Sequence, residues 1–172
     1  MAEIRRLTAE EGRPYLGDLA EVLLDCVKGG ASVSFMASLS KSEAESFFEK
    51  VLGDVQRGDR ILLAAFIDSR LVGTVQILLA TPPNQPHRAD VAKLLVRRSA
   101  RGQGIGRQLM EQVEEASRLA RKTLLVLDTV TGDPAERLYL RLGWNRVGVI
   151  PKYALYPDGT WCDTTIFWKQ LL

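Results

Sequence analysis

The succession of strand-like and helical runs in this 172-residue chain predicts an α+β fold, with a mixed and mostly antiparallel central sheet flanked by helices on both faces. Three observations carry the prediction. Residues 60–68 (RILLAAFID) and 71–80 (LVGTVQILLA) are apolar, partly β-branched runs joined by a tight turn at Ser69-Arg70, the pattern of a hairpin. Residues 91–107 (VAKLLVRRSARGQGIGR) read as a buried strand, a glycine-rich turn and the start of a helix. Toward the C-terminus, 144–150 and 153–168 form a second antiparallel pair, turned by Pro157, Asp158 and Gly159.

Taken in order, Glu3–Leu7 makes a short first strand, and Pro14 starts a helix whose apolar positions are Leu16, Leu19, Leu23, Leu24 and Val27, stopped by Gly29 and Gly30. The segment 31–39 is apolar without periodicity. Ser40 and Glu43 have capping-box spacing, and Ala44, Phe47, Phe48, Val51, Leu52 and Val55 follow as a helical stripe. After the first hairpin, three prolines and an Asn within 81–86 enforce an irregular loop. The helix beyond the glycine turn carries Ile105, Leu109, Val113, Ala116 and Ala120 on one face. LLVLDT (124–129) is the next strand, and Asp133 is placed to cap a short helix at Pro134.

Composition narrows the function. With 46% hydrophobic and 26% charged residues, the chain is expected to be one globular domain spanning 1–172. A cytosolic location and no membrane partner are expected, because no apolar run approaches the roughly 18 residues of a membrane span and none resembles a secretory segment. A net charge of +2, with 23 basic residues interspersed among 21 acidic ones, gives no footprint for nucleic acid. Cys26 and Cys162 lie far apart without a Cys/His cluster, so both are read as reduced structural thiols and no metal site is expected. His87, the only histidine, lies in the proline-rich loop and is read as solvated.

The glycine turn carries the chemistry. A helix N-terminus offers unpaired N–H groups and a positive dipole end; Gly102, Gly104 and Gly106 let the backbone approach a phosphate, and Arg101 and Arg107 add positive charge. A P-loop needs Lys and Ser or Thr after its last glycine, where this chain has Arg107 and Gln108. A dinucleotide fingerprint needs glycine where Arg107 stands, although Asp128 imitates the ribose-binding acid of that fold. Arg101, Gly104 and Gly106 instead fit [Gln/Arg]xxGx[Gly/Ala].

That pattern, preceded by KLLV and followed downstream by AERLYLRLGW (135–144), resembles the acetyl-CoA loop and second motif of the GNAT superfamily of N-acetyltransferases. GGASVSFM (29–36), HRADVAKLLV, LDT at 127–129 and the PDG turn with DTTIFWK are similar to the tabtoxin-resistance type. The resemblance implies a GNAT fold, acetyl-CoA as cosubstrate and direct acetyl transfer to a small-molecule amine, with detoxification of an amino-acid-like toxin or antibiotic as the suggested setting. It places the pyrophosphate on Arg101, Gly102, Gln103, Gly104, Ile105, Gly106 and Arg107, and the pantetheine arm against the backbone of Leu94 and Val96. A backbone N–H near Leu95 or Val96 would polarise the acetyl carbonyl. Tyr139 matches the tyrosine that protonates the CoA sulfur. Gly132 stands where many members have an Asn that contacts the cofactor. The general base is open between Asp90, expected to share a strand face with Ala92, Leu94 and Val96, and Asp128, a rival base or anchor for the substrate amine; an ion pair of Asp90 with Arg88 or Lys93 is the competing reading. Segment 31–39 corresponds to the loop that covers the acceptor in this family, with a packed connector as the other reading. A protein N-terminal or lysine acetyltransferase and a non-catalytic CoA sensor are the alternative functions, and the C-terminal strands are the first place to look for a homodimer.

Overall fold

Two strands buried along almost their whole length, β2 (Arg60–Ile67) and β3 (Arg70–Leu78), explain why the fold is layered. Ile61, Leu63 and Ala65 join one apolar cluster, and Leu62, Ala64 and Phe66 join another on the opposite face, so each face needs its own cover of helix. The computed structural model describes residues 2–171. Its seven-stranded sheet has the order β1-β2-β3-β4-β5-β7-β6, with β1 at Glu3–Leu7, β4 at Arg88–Val96, β5 at Leu124–Val130, β6 at Asn145–Leu155 and β7 at Trp161–Gln170. Helices α2 (Leu16–Lys28) and α3 (Lys41–Arg57) cover one face; α4 (Ile105–Leu119) and the short α5 (Pro134–Arg141) pack on the other. Among the described residues, no helix is long and apolar enough to cross a membrane.

Local chemistry set several boundaries differently from the expectations. Thr8 and Glu11 form a complete capping box for a one-turn helix α1 (Ala9–Gly12), Pro14 falls in a 3₁₀ turn, and the long helix begins only at Leu16. The first hairpin turns at Asp68-Ser69, whose φ values of 47° and 64° match the right-handed twist of the flanking strands, so Arg70 is already in β3. The Ser40–Glu43 box is present in both halves and starts α3 at Lys41. Asp133 stands at the N-cap of α5, but its side chain makes no capping bond; the Glu136 carboxylate accepts from Gly132 N–H instead, at 2.6 Å.

The feature that positions the site is a failure of pairing. β4 and β5 run parallel and are in register only at Arg88↔Leu124, Ala89↔Leu125 and Asp90↔Val126, after which they separate into a wedge. On its other side β4 bulges: Ala92 faces Gln76 while Leu95 faces Thr74, and Lys93 takes a left-handed φ of 55°. The bulge shifts the phase of the strand. Ala89, Val91, Leu94 and Val96 pack with the α4 cluster and Leu95 with the α2/α3 cluster, so Asp90, Ala92, Leu94 and Val96 do not share the single face expected of them.

Candidate active site

The upper edge of the wedge is backbone. Arg97 N–H donates to Val72 O across the sheet, and a Cβ on Gly73 would lie 2.9 Å from the Leu95 carbonyl, so Leu95 and Arg97 face β3. Strand alternation then turns the N–H and C=O of Leu94 and Val96 into the wedge. Of Leu95 and Val96, it is Val96 whose N–H points into the wedge. Its C=O accepts from Arg101 Nε at 3.1 Å and lies 3.5 Å from the Cys26 thiol.

Beyond Val96 the chain passes through a 3₁₀ turn into the glycine loop. Gly102 and Gly104 have φ of 77° and 76°, a region that costs a residue with a side chain roughly 1–2 kcal/mol. Gly104 is the N-cap of α4 and supplies no side-chain acceptor, and the first turn of the helix contains no acid. The N–H groups of Ile105, Gly106 and Arg107 are therefore left for an external anion. Gly106 serves packing as well as approach: a Cβ there would meet Leu138 Cδ2 of α5 at 3.3 Å. Arg107 is paired along its helix with Glu111 at 2.8 Å. The loop thus presents its glycines and amide groups outward, with Arg101 at its mouth, which suits the pyrophosphate of a nucleotide cosubstrate.

Acid and base candidates approach the wedge from opposite faces. Tyr139 on α5 is 5% exposed and packs beside Trp144 and Phe167, with ring centroids 6.0 and 5.9 Å away. Burial first, and then the nearby Asp128 carboxylate, raise the phenol far above its ordinary value. It is therefore protonated throughout the physiological range and suits proton donation only. No protein group among the described residues hydrogen-bonds its hydroxyl. Asp128 lies two residues past the last β4–β5 pair, inside the open part of the wedge, and its side chain is exposed. Asp90 sits at the closed end. It is held by Arg88 at 2.7 Å, as in the ion-pair reading of the sequence, and is not brought to Tyr139.

Lys93, at the bulge, bonds Ser34 Oγ at 2.9 Å and feels both Asp128 and Arg60. Ser34 belongs to segment 31–39, which is tied to the β6–β7 hairpin by Ser32 Oγ to Leu155 O at 2.6 Å and Ala37 N–H to Pro157 O at 3.1 Å. Phe35 of the same segment meets Phe47 of α3 edge to face. The segment therefore walls the open end of the wedge.

A family model described as the acetyltransferase (GNAT) family matches residues 31–144, which include β4, the glycine loop and Tyr139. The chain belongs to the GNAT family. It is an acetyl-CoA-dependent N-acetyltransferase. Solved structures agree in fold over essentially the whole chain. The ribosomal-protein-alanine N-acetyltransferase of Brucella melitensis is 22% identical with a TM-score of 0.81, covering 98% of this chain and 99% of its own. YncA of Salmonella typhimurium, solved with acetyl-CoA, is 17% identical with a TM-score of 0.81, covering 100% and 95%. A protein assigned as a phosphinothricin N-acetyltransferase is 15% identical with a TM-score of 0.81, covering 100% and 99%. The names of the first and third carry different acceptors, so the GNAT scaffold alone does not choose one.

Within this GNAT chain, several residues that hold the site escaped the sequence reading. Arg97, 9% exposed, donates to Leu71 O at 3.1 Å and Glu21 at 3.0 Å, pinning the end of β4 under α2. Asp25 accepts from Arg98 N–H at 2.7 Å and Nε at 3.0 Å; burial raises its pKa, but these two bonds outweigh that and leave it below the usual carboxylate value. Cys26 lies 3.6 Å from an Arg101 nitrogen. One turn of α2 thus grips the start of the cofactor loop. The readable signal was the glycine at 73 inside a strand, which marks a close backbone approach or a bulge. Nothing in the spacing of Asp25, Cys26 and Arg97 announces their meeting.

Proposed function

We propose that this GNAT enzyme transfers acetyl directly from acetyl-CoA to the amine of a small molecule in the cytosol. The observation that carries the reading is the wedge between β4 and β5, with the Val96 N–H on its edge, Asp128 in its opening and Tyr139 beneath. Acetyl-CoA supplies an activated thioester. The glycine loop from Arg101 to Arg107 holds its pyrophosphate, Leu94 and Val96 align the pantetheine arm by β-augmentation, and the Val96 N–H stabilises the developing oxyanion. The acceptor nitrogen bonds to the acetyl carbon and the C–S bond breaks. Tyr139 gives its proton to the departing sulfur, and Asp128 takes the proton lost by the amine, directly or through water.

A thiolate released in a dry wedge is itself made more basic, which offsets the cost of a buried tyrosinate. Direct attack is favoured over a covalent acyl-enzyme because Cys26 and Cys162 are 1% and 3% exposed, and burial raises the Cys26 thiol above its ordinary value. Detoxification of an amino-acid-like toxin or antibiotic rests on the resemblance to the tabtoxin-resistance type. Exposed Val147, Ile150 and Tyr153 on β6 favour pairing of two copies through the C-terminal strands, which sedimentation tests. The enzymatic reading is tested by free-thiol release from acetyl-CoA across a panel of amines. Release with one amine class supports it; release only with peptides or proteins moves the acceptor to a protein amine, and CoA binding without any release makes the chain a sensor.

A further inference from the structure

Two buried donors on neighbouring strands β2 and β3 have no acceptor among the described residues. Gln76 of β3 is fully buried, and its side-chain oxygen accepts from Arg60 Nη1, which fixes the amide orientation and leaves Nε2 without a partner. Arg60 is anchored to Asp54 of α3 at 2.8 Å, yet its Nε is also buried and unpaired. A buried N–H without an acceptor costs about 1–3 kcal/mol, so two of them on contacting side chains mark a place built for an oxygen. The register puts Gln76 opposite Ala92, next to Lys93 at the bulge.

Lys93 supplies the charge. Among the described residues its side chain hydrogen-bonds only the neutral Ser34 hydroxyl, and burial lowers its pKa, with Asp128 pulling upward and Arg60 pushing further down. Arg60 is balanced by Asp54. If Asp128 meets the ammonium of the acceptor, Lys93 is the cation left without a counter-charge.

We propose that Arg60, Gln76 and Lys93 form a carboxylate-binding subsite, and that the acceptor is therefore an amino acid or amino-acid-like amine whose carboxylate sits there while its nitrogen lies at Asp128. This rests on the acetyl-transfer reading of the wedge. The Gln76 Nε2 and Arg60 Nε groups donate to the carboxylate oxygens, and the Lys93 ammonium turns from Ser34 toward it. Such a site rejects an amine lacking the carboxylate, because its buried donors then stay unpaired.

The test is thermal stabilisation of the full chain saturated with free CoA. The probes are the proteinogenic L-amino acids, β-alanine and 4-aminobutyrate, each paired with its decarboxylated or carboxamide counterpart. At least one carboxylate-bearing amine is expected to raise Tm by about 3 °C more than its counterpart, the shift for roughly tenfold tighter binding in a domain of this size. Gln76→Leu and Lys93→Met are each expected to abolish that preference while keeping the shift caused by CoA alone, which also reports that they fold. If no carboxylate probe exceeds its counterpart, or if the preference survives in both variants, the subsite is wrong and the orphan donors hold only a bridging water. If CoA itself gives no shift, the acetyl-transfer reading has failed, a result distinct from either.

Discussion

The two halves of the wedge are made of different materials. On the proposed cofactor side nearly every group is main chain, namely the Leu94 and Val96 edge of β4, the left-handed glycines of the loop and the first N–H groups of α4, all within fourteen consecutive residues. On the proposed acceptor side every group is a side chain, and Ser34, Arg60, Gln76, Lys93, Asp128 and Tyr139 come from six separate segments. A backbone site recognises what all acetyl-CoA molecules share and depends on where the chain turns. A side-chain site recognises what differs between acceptors and depends on how distant segments meet.

Substitutions can break this contrast. The largest effect is expected from Tyr139→Phe, which keeps the ring packed beside Trp144 and Phe167 but removes the proton: kcat should fall about 10²-fold or more while the Kd of acetyl-CoA stays within twofold. Steady-state kinetics beside calorimetry decides it, and unaltered kcat removes Tyr139 as the acid. Next, Asp128→Asn should lower kcat about 10–10²-fold, against less than about threefold for Asp90→Asn, whose carboxylate only neutralises Arg88 at the closed end. The reverse ranking returns the base to Asp90. On the cofactor side, Gly104→Val should weaken CoA binding about tenfold through the left-handed φ of 76°, without altering the preference among acceptors.

The smallest effect is on stability. Burial lowers the folded pKa of Lys93 below its unfolded value of about 10.4, so the unfolded chain binds more protons between the two values, and this residue's penalty on stability is relieved as pH rises through that window. Lys93→Met should therefore raise Tm near neutral pH and flatten the alkaline part of the Tm–pH curve. A lower Tm with an unchanged curve would mean that the ammonium is not strained by burial.

The same contrast explains what was legible beforehand. The strand, glycine loop and helix of residues 91–107 are local, and the Ser40–Glu43 box signals its own helix by spacing, so both were readable from the chain. The Thr8–Glu11 box has the same spacing and starts α1 ahead of Pro14. The β4 bulge was not readable, because a lysine at φ of 55° has no sequence signature, and the phase shift it causes puts Leu94 and Val96 on the face opposite to Asp90 and Ala92. Asp90 is set apart instead by its pair with Arg88 at the closed end of the wedge. Likewise, the opening of β4 from β5 is set by pairing that stops after Asp90↔Val126, and no run of residues records where a parallel pair ends.

The most direct test of the account is amide hydrogen exchange with and without acetyl-CoA. Binding in the wedge predicts slowed exchange confined to the peptides covering 94–107, where the free strand edge and the helix N-terminus become paired. Tight binding that leaves these amides exchanging at their unliganded rate would contradict it.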